Sequence, residues 1–145
     1  MKIGLILALL LLPIANAVSD TTPPTLVSFD FEPKVVNVSK SDQDIKFTMQ
    51  VKDDLSGMSG WQGIFLDSPS KGQNKVVNFN GTDDLVAGDM MKGTYVANMT
   101  ISQYGESGRW HISAFLLADN FDNKLSLNET QLKNLGFPTE IEVKS

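Results

Sequence analysis

Cysteine is absent from the 145-residue chain, and histidine occurs once, as His111. Small exported domains commonly depend on disulfides, so a chain without them needs a sufficient hydrophobic core or a bound metal ion. The same absences count against catalysis. No thiol nucleophile exists, and Ser56 lies in Leu-Ser-Gly rather than in a nucleophile elbow. We expect no enzyme activity, and we interpret His111 as a surface residue.

Positive charge is scarce. The chain has 12 Lys and Arg against 17 Asp and Glu, which gives a formal net charge of −5. Nucleic acids and anionic lipid surfaces are bound through cationic side chains. An acidic chain therefore favours neither of them as a partner.

Long apolar runs are confined to the N-terminus. Lys2 precedes an apolar run over residues 3–12, Pro13 ends that run, and Ala15-Asn16-Ala17 forms a small-x-small cleavage site. The run is shorter than the about 20 residues that span a bilayer, so the pattern predicts a signal peptide over residues 1–17. The protein is expected to be secreted, periplasmic or at the cell surface, with no membrane insertion after cleavage.

Helical periodicity is nearly absent from the rest of the chain. Residues 44–52 alternate apolar and polar side chains, which is typical of an antiparallel strand with one wet face. About eight such segments, separated by turn residues, predict an all-β sandwich of about 7–9 strands. We expect this domain over residues 26–145, preceded by an N-terminal linker over residues 18–25. One short helix is predicted over residues 128–134, with Asn128 as its N-cap.

The rest of the chain is organised around the segment from Gly108 to Asn123, whose first half is an alternating strand and whose second half is a polar loop. Its alternation predicts one buried face and one exposed face. The residues predicted to face inward are Trp110, Ile112, Ala114, Leu116 and Ala118. Those predicted to face outward are Arg109, His111, Ser113 and Phe115.

Four motifs, in this order, resemble those of bacterial immunoglobulin-like domains from secreted and cell-surface proteins. They are Asp20-Thr-Thr-Pro-Pro-Thr25, Val51-Lys-Asp-Asp-Leu-Ser-Gly57, Gly108-Arg-Trp110 with Ala118-Asp-Asn-Phe-Asp-Asn123, and Leu135-Gly-Phe-Pro-Thr139. Asp122 stands where that family usually has glycine, and Asp tolerates a left-handed backbone better than most residues do. The resemblance implies an immunoglobulin-like antiparallel β-sandwich of Greek-key topology. It also implies a non-catalytic role in adhesion, recognition or assembly, with a protein or glycan at the cell surface as partner.

Two oxygen-rich loops follow predicted strands. In an immunoglobulin-like strand order the loops after strands B and F lie at the same end of the sandwich. Ca²⁺ takes about six to eight oxygen ligands, so the two loops predict a calcium site. Its candidate ligands are Asp53, Asp54, Asp119, Asn120, Asp122 and Asn123. The alternative is that these residues only form turns, and the chain has no EF-hand spacing.

Two further functions stay open on the sequence. Trp61 and Tyr104, if exposed on one flat face, would favour a carbohydrate-binding module. Asp53 and Asp119, if they lined one cleft, would favour a small carboxylate-based hydrolase. Four N-x-S/T glycosylation sequons also occur, at Asn37, Asn80, Asn98 and Asn128.

Overall fold

The structure, a computed structural model, describes residues 19–145 as ten strands and one short helix. The predicted signal peptide over residues 1–17 lies outside the described residues. The strands are β1 (Thr25–Glu32), β2 (Val35–Asn37), β3 (Gln43–Lys52), β4 (Gln62–Asp67), β5 (Asn74–Phe79), β6 (Leu85–Gly88), β7 (Lys92–Ile101), β8 (Gly108–Ala118), β9 (Lys124–Leu127) and β10 (Glu140–Lys144). The helix α1 spans Glu129–Asn134 and is capped by Asn128, as predicted.

The strands form two sheets. One has the order β1-β3-β7-β6, and the other has the order β2-β10-β8-β4-β5, with β9 pairing to β8. In the lettering of immunoglobulin domains, β1-β3-β7-β6 corresponds to A-B-E-D, and β10-β8-β4-β5 corresponds to G-F-C-C′, with β2 added at the edge beside β10. The predicted all-β sandwich is therefore confirmed.

The strand count exceeds the predicted 7–9 because of β2 and β6. The chain passes from the first sheet to the second at Pro33: Glu32 still pairs with Lys46 of β3, whereas Val35 pairs with β10. Proline cannot donate to a sheet ladder, so Pro33 separates β1 from β2. β6 pairs with β7 but buries no side chain fully, and so it leaves no alternating pattern in the sequence.

The core fills the space between the two sheets. Its centre is a group of phenylalanines whose ring centroids lie 5.0–6.3 Å apart: Phe29, Phe31, Phe47 and Phe115. Each large side chain buried in this way contributes about 1.5–3 kcal/mol relative to leaving it exposed. The buried Trp110 donates its ring N–H to the Glu106 carbonyl at 2.9 Å.

The predicted facing of β8 is correct in its first half and wrong in its second half. Ile112 pairs with Leu66 and Ala114 pairs with Phe65, which leaves Ser113 as an extra residue in β8. A bulge of this kind shifts the alternation by one residue. Phe115 is therefore buried, although the alternation placed it outside. The inward-facing residues beyond the bulge are Phe115, Leu117 and Asp119, in place of the predicted Ala114, Leu116 and Ala118.

Candidate functional site

The two oxygen-rich loops lie against each other at one end of the sandwich. Met58 forms an isolated β-bridge with Asp119. Asn120 donates its backbone N–H to the Gly57 carbonyl at 3.0 Å and its side-chain amide to the Ser56 carbonyl at 2.8 Å. The structure thus brings together the loops that carry the predicted calcium ligands.

Asp53 organises the loop between β3 and β4. Its Oδ2 accepts the backbone N–H groups of Leu55, Ser56 and Gly57 at 3.1, 2.8 and 2.7 Å. Gly57 has a φ of +78°, which a glycine adopts without strain. The other oxygen, Oδ1, is buried and accepts no hydrogen bond from the described residues.

Asp20 belongs to the same site, although the sequence placed it in a linker. Its side chain is buried, and its carboxylate accepts the backbone N–H groups of Thr22 and Ser56, each at 3.0 Å. The adjacent Ser56 side chain and these two N–H groups hold the pKa of Asp20 below its usual value. At least this part of the predicted linker therefore packs on the sandwich.

Three carboxylates meet at this end of the molecule. One carboxylate oxygen from each of Asp20, Asp53 and Asp54 lies within 4.8 Å of the other two. Asp20 and Asp53 are buried, while Asp54 is exposed. Beside them is a cavity of about 270 Å³ that is lined by Thr22, Pro23, Thr25, Lys52, Asp53 and Asp54.

The second oxygen-rich loop, which follows β8, has a different role from the loop between β3 and β4. Both carboxylate oxygens of the buried Asp119 accept hydrogen bonds from within that loop. Oδ1 accepts the backbone N–H groups of Phe121 and Asn123, each at 2.8 Å, and Oδ2 accepts the Asn123 side-chain amide at 2.6 Å. Asp122 has a φ of +66° and is exposed beside Lys124 at 3.0 Å. The hydrogen bonds of Asp119 and the left-handed backbone of Asp122 match the turn-forming alternative.

The outward face of the six-stranded sheet carries an apolar strip. Phe65 lies between Val76 of β5 and Ala114 of β8 in the strand register. In the neighbouring row Gly63 pairs with Leu116, and the Trp61 ring covers Gly63, where a Cβ atom would lie 2.7 Å from two ring carbons. We call these side chains the outer strip: Trp61, Phe65, Val76, Ala114 and Leu116.

Trp61 is held in place but still faces solvent. Its ring N–H donates to Asn78 Oδ1 at 2.9 Å, and 45% of the residue is exposed. It forms one wall of a trough of about 320 Å³ with Leu116 and Ala118. The polar side chains that line this trough are Ser59, Asp122 and Lys124.

Tyr104 lies at the other end of the sheet. It is 80% exposed, and its carbonyl accepts the side chain of Gln73, in the turn that follows β4. Trp61 directly precedes β4, whereas Gln73 follows that strand, and Trp61 and Tyr104 line different cavities. Trp61 and Tyr104 therefore do not form one platform.

His111 sits in a network of ionic side chains. Its Nδ1 is 3.0 Å from Glu129 and 3.7 Å from Glu140, and Lys133 contacts the same two carboxylates at 2.7 and 3.1 Å. Burial would raise the pKa of Glu129, but hydrogen bonds from Lys133 and His111 outweigh it and keep that pKa below its usual value. His111 is half-buried and contacts both carboxylates, so it is not an isolated surface residue.

The fold and these surfaces define a class: a two-sheet β-sandwich domain with an apolar strip on one face and a carboxylate cluster at one end. Residues 19–141 match the family described as a domain of unknown function, DUF7035, and the chain belongs to that family. The match includes Asp20 and both oxygen-rich loops. No curated protein matches the chain. No helix within residues 19–145 is long and apolar enough to cross a membrane.

Proposed function

We propose that the chain is a non-catalytic, immunoglobulin-like recognition module that is exported and binds a protein or glycan at or outside the cell surface. The observation that carries the proposal is the outer strip. Trp61 and Val76 of the strip are exposed and its other members are partly exposed. Contiguous apolar patches on a protein surface mark sites of interaction. An aromatic side chain held rigidly by its neighbours loses little conformational entropy when a partner covers it.

The strand order supports the immunoglobulin-like part of the proposal. It follows the lettered order of immunoglobulin sandwiches on both sheets. Such sandwiches act as scaffolds, and their binding function depends on the residues that they display. The N-terminal motif of residues 1–17 supports export.

The hydrogen bonds of Asp53 and Asp119, the candidate pair for a hydrolase, support a non-catalytic role. Asp53 Oδ2 accepts three backbone N–H groups, and both oxygens of Asp119 accept hydrogen bonds from their own loop. The cavity that Asp53 lines does not include Asp119. A glycosidase pair needs two carboxylates that face one substrate, and this arrangement does not favour one.

A glycan is the second, more specific candidate, and the trough beside Trp61 favours it. Asn78 holds the ring N–H of Trp61, and 45% of the residue is exposed, so part of the ring is available to stack against the C–H face of a sugar. Asp122 and Lys124 line the same trough and offer charged groups that can bond sugar hydroxyls. An apolar wall with a few polar groups is the usual composition of a small-ligand site.

The test is binding by the wild-type chain and by Trp61→Ala and Tyr104→Ala. Cello-, chito- and laminari-hexaose serve as glycan probes, and extracellular protein libraries serve as protein probes. We expect Trp61→Ala to weaken binding by about tenfold or more, whereas Tyr104→Ala, an exposed aromatic side chain at the opposite end, leaves it unchanged. Equal binding by Trp61→Ala and wild type would contradict a role of the outer strip. Thermal unfolding of each variant checks that the fold is retained.

A further inference from the structure

We infer that Asp20, Asp53 and Asp54 form a divalent-cation site of the calcium class, which fastens the N-terminal segment to the loop between β3 and β4. The site differs from the one predicted from the sequence. It gains Asp20, and it does not use Asp119, Asn120, Asp122 or Asn123 as ligands. It is independent of the outer strip, so the two proposals can fail separately.

The first argument is the balance of charge. Three carboxylates that bring oxygens within 4.8 Å of one another repel unless a positive group lies between them. Within residues 19–145, no Lys or Arg nitrogen lies within 4.0 Å of Asp20, Asp53 or Asp54.

The second argument is the unpartnered oxygen of Asp53. The residue is only 9% exposed, and its Oδ1 is buried with no hydrogen-bond donor among the described residues. A buried carboxylate oxygen without a donor is unfavourable. A cation would satisfy this oxygen without disturbing Oδ2, which already accepts three backbone N–H groups.

The third argument is space and ligand chemistry. The cavity of about 270 Å³ opens beside Asp53 and Asp54 and borders Thr22 and Pro23. It has room for water molecules to complete a coordination shell. Carboxylate oxygens with no histidine or cysteine suit a hard cation, and an irregular set of oxygens completed by water suits Ca²⁺ better than the stricter octahedron of Mg²⁺.

The second loop supports the site from outside. The Asn123 side chain donates to Asp119 Oδ2 at 2.6 Å and to the Asp20 carbonyl at 3.3 Å. It thereby joins the loop after β8 to the N-terminal segment. The contact of Asn120 with Ser56 at 2.8 Å joins that loop to the β3–β4 loop as well. The second loop is thus a positioning element for the ligands.

The experiment is calorimetric titration of the chain, purified in its secreted form, with CaCl₂ at constant ionic strength. Thermal unfolding in millimolar Ca²⁺ and in EGTA runs in parallel. The variants are Asp54→Asn, which removes an exposed ligand, and Asp53→Asn. Asp122→Asn is the matched control, because it removes one loop carboxylate that pairs with Lys124 at 3.0 Å instead of joining the cluster.

We expect Ca²⁺ to bind the wild type and to raise its unfolding midpoint, because a ligand that binds only the folded state stabilises it by mass action. Asp54→Asn and Asp53→Asn should lower the affinity by tenfold or more, and Asp122→Asn should keep it. Absence of binding by the wild type at millimolar Ca²⁺ would overturn the inference. Equal loss in Asp122→Asn and Asp54→Asn would overturn the ligand assignment. If Asp53→Asn fails to fold, Asp54→Asn alone decides, since its side chain is exposed.

Discussion

At the scale of single residues, the hydroxyl of Tyr95 is buried and has no hydrogen-bond partner in the described part of the chain, although the residue is only 1% exposed. Burial, with a contribution from Asp89, raises the pKa of Tyr95 above its usual value. Removal of an unpartnered buried polar group is neutral or stabilising. We expect Tyr95→Phe to leave the free energy of unfolding unchanged or to raise it by about 1 kcal/mol, as measured by urea unfolding at pH 7.

The raised pKa of Tyr95 also fixes the direction in which stability changes with pH. The unfolded chain ionises Tyr95 at a lower pH than the folded chain does, so this residue lowers stability as the pH rises above about 10. Tyr95→Phe should reduce the loss of stability between pH 9 and pH 11, and the exposed Tyr104→Phe is the control. A loss of more than about 1 kcal/mol at pH 7 in Tyr95→Phe would show that the hydroxyl has a partner, such as a buried water.

At the scale of elements, α1 depends on its N-cap. Asn128 Oδ1 accepts the Gln131 N–H and Gln131 Oε1 accepts the Asn128 N–H, both at 2.9 Å, which makes a reciprocal capping box. A helix of six residues is too short to be stable alone, so it depends on this cap and on the buried Leu132. We expect Asn128→Ala to cost about 1 kcal/mol and Asn128→Asp to cost less, as measured by chemical unfolding.

A control separates the cap from the sequon that starts at the same asparagine. Thr130→Ala removes the sequon and keeps both hydrogen bonds of the cap. It should therefore leave the unfolding free energy within about 0.5 kcal/mol of the wild type. If Thr130→Ala destabilised the chain as much as Asn128→Ala did, the cap would not be the cause.

The elements also show where sequence patterns suffice. β3 pairs with β7 residue by residue from Gln43 to Lys52, and its predicted alternation is correct throughout. β8 contains a bulge at Ser113, and the alternation is wrong from that point onward. A bulge is set by pairing with a neighbouring strand, so the sequence of the bulged strand alone does not reveal it.

The candidate site also depends on contacts that the sequence pattern does not reveal, in this case between residues far apart in the chain. Both polar loops were predicted, because Asp and Asn mark turns and follow alternating strands. The role of Asp20 was not predicted, since its bond to Ser56 joins residues 36 positions apart in the chain. The resemblance motif begins at Asp20, and that was the one signal in the sequence that could have placed it in the site.

At the scale of the whole molecule, several carboxylates are more acidic in the folded chain than in the unfolded chain. Hydrogen bonds from the Ser68 and Ser70 side chains, at 2.5 and 2.7 Å, lower the pKa of Glu106 and join the turn after β4 to the turn before β8. The pKa values of Asp20 and Glu129 are also lowered. These residues lie in three separate regions, so their effect on pH stability belongs to the molecule and not to one site.

A lowered carboxyl pKa contributes stability that is fully present above the unfolded value and is lost as the pH falls through the folded value. The reference values are 4.5 for Glu106 and Glu129 and 3.8 for Asp20, so the stability should decline progressively once the pH falls below about 5. Glu106→Gln should lower the unfolding midpoint at pH 7 and flatten its decline between pH 5 and pH 3. The control is the exposed Glu32→Gln, which removes one carboxylate and keeps the bonds of Glu106 to Ser68 and Ser70. Thermal unfolding across this range, in calcium-free buffers and after removal of Ca²⁺ by dialysis at neutral pH, measures both effects without a contribution from bound Ca²⁺. A midpoint that rose on acidification, or a Glu106→Gln profile parallel to that of the wild type, would show that these hydrogen bonds do not control the acid stability of the sandwich.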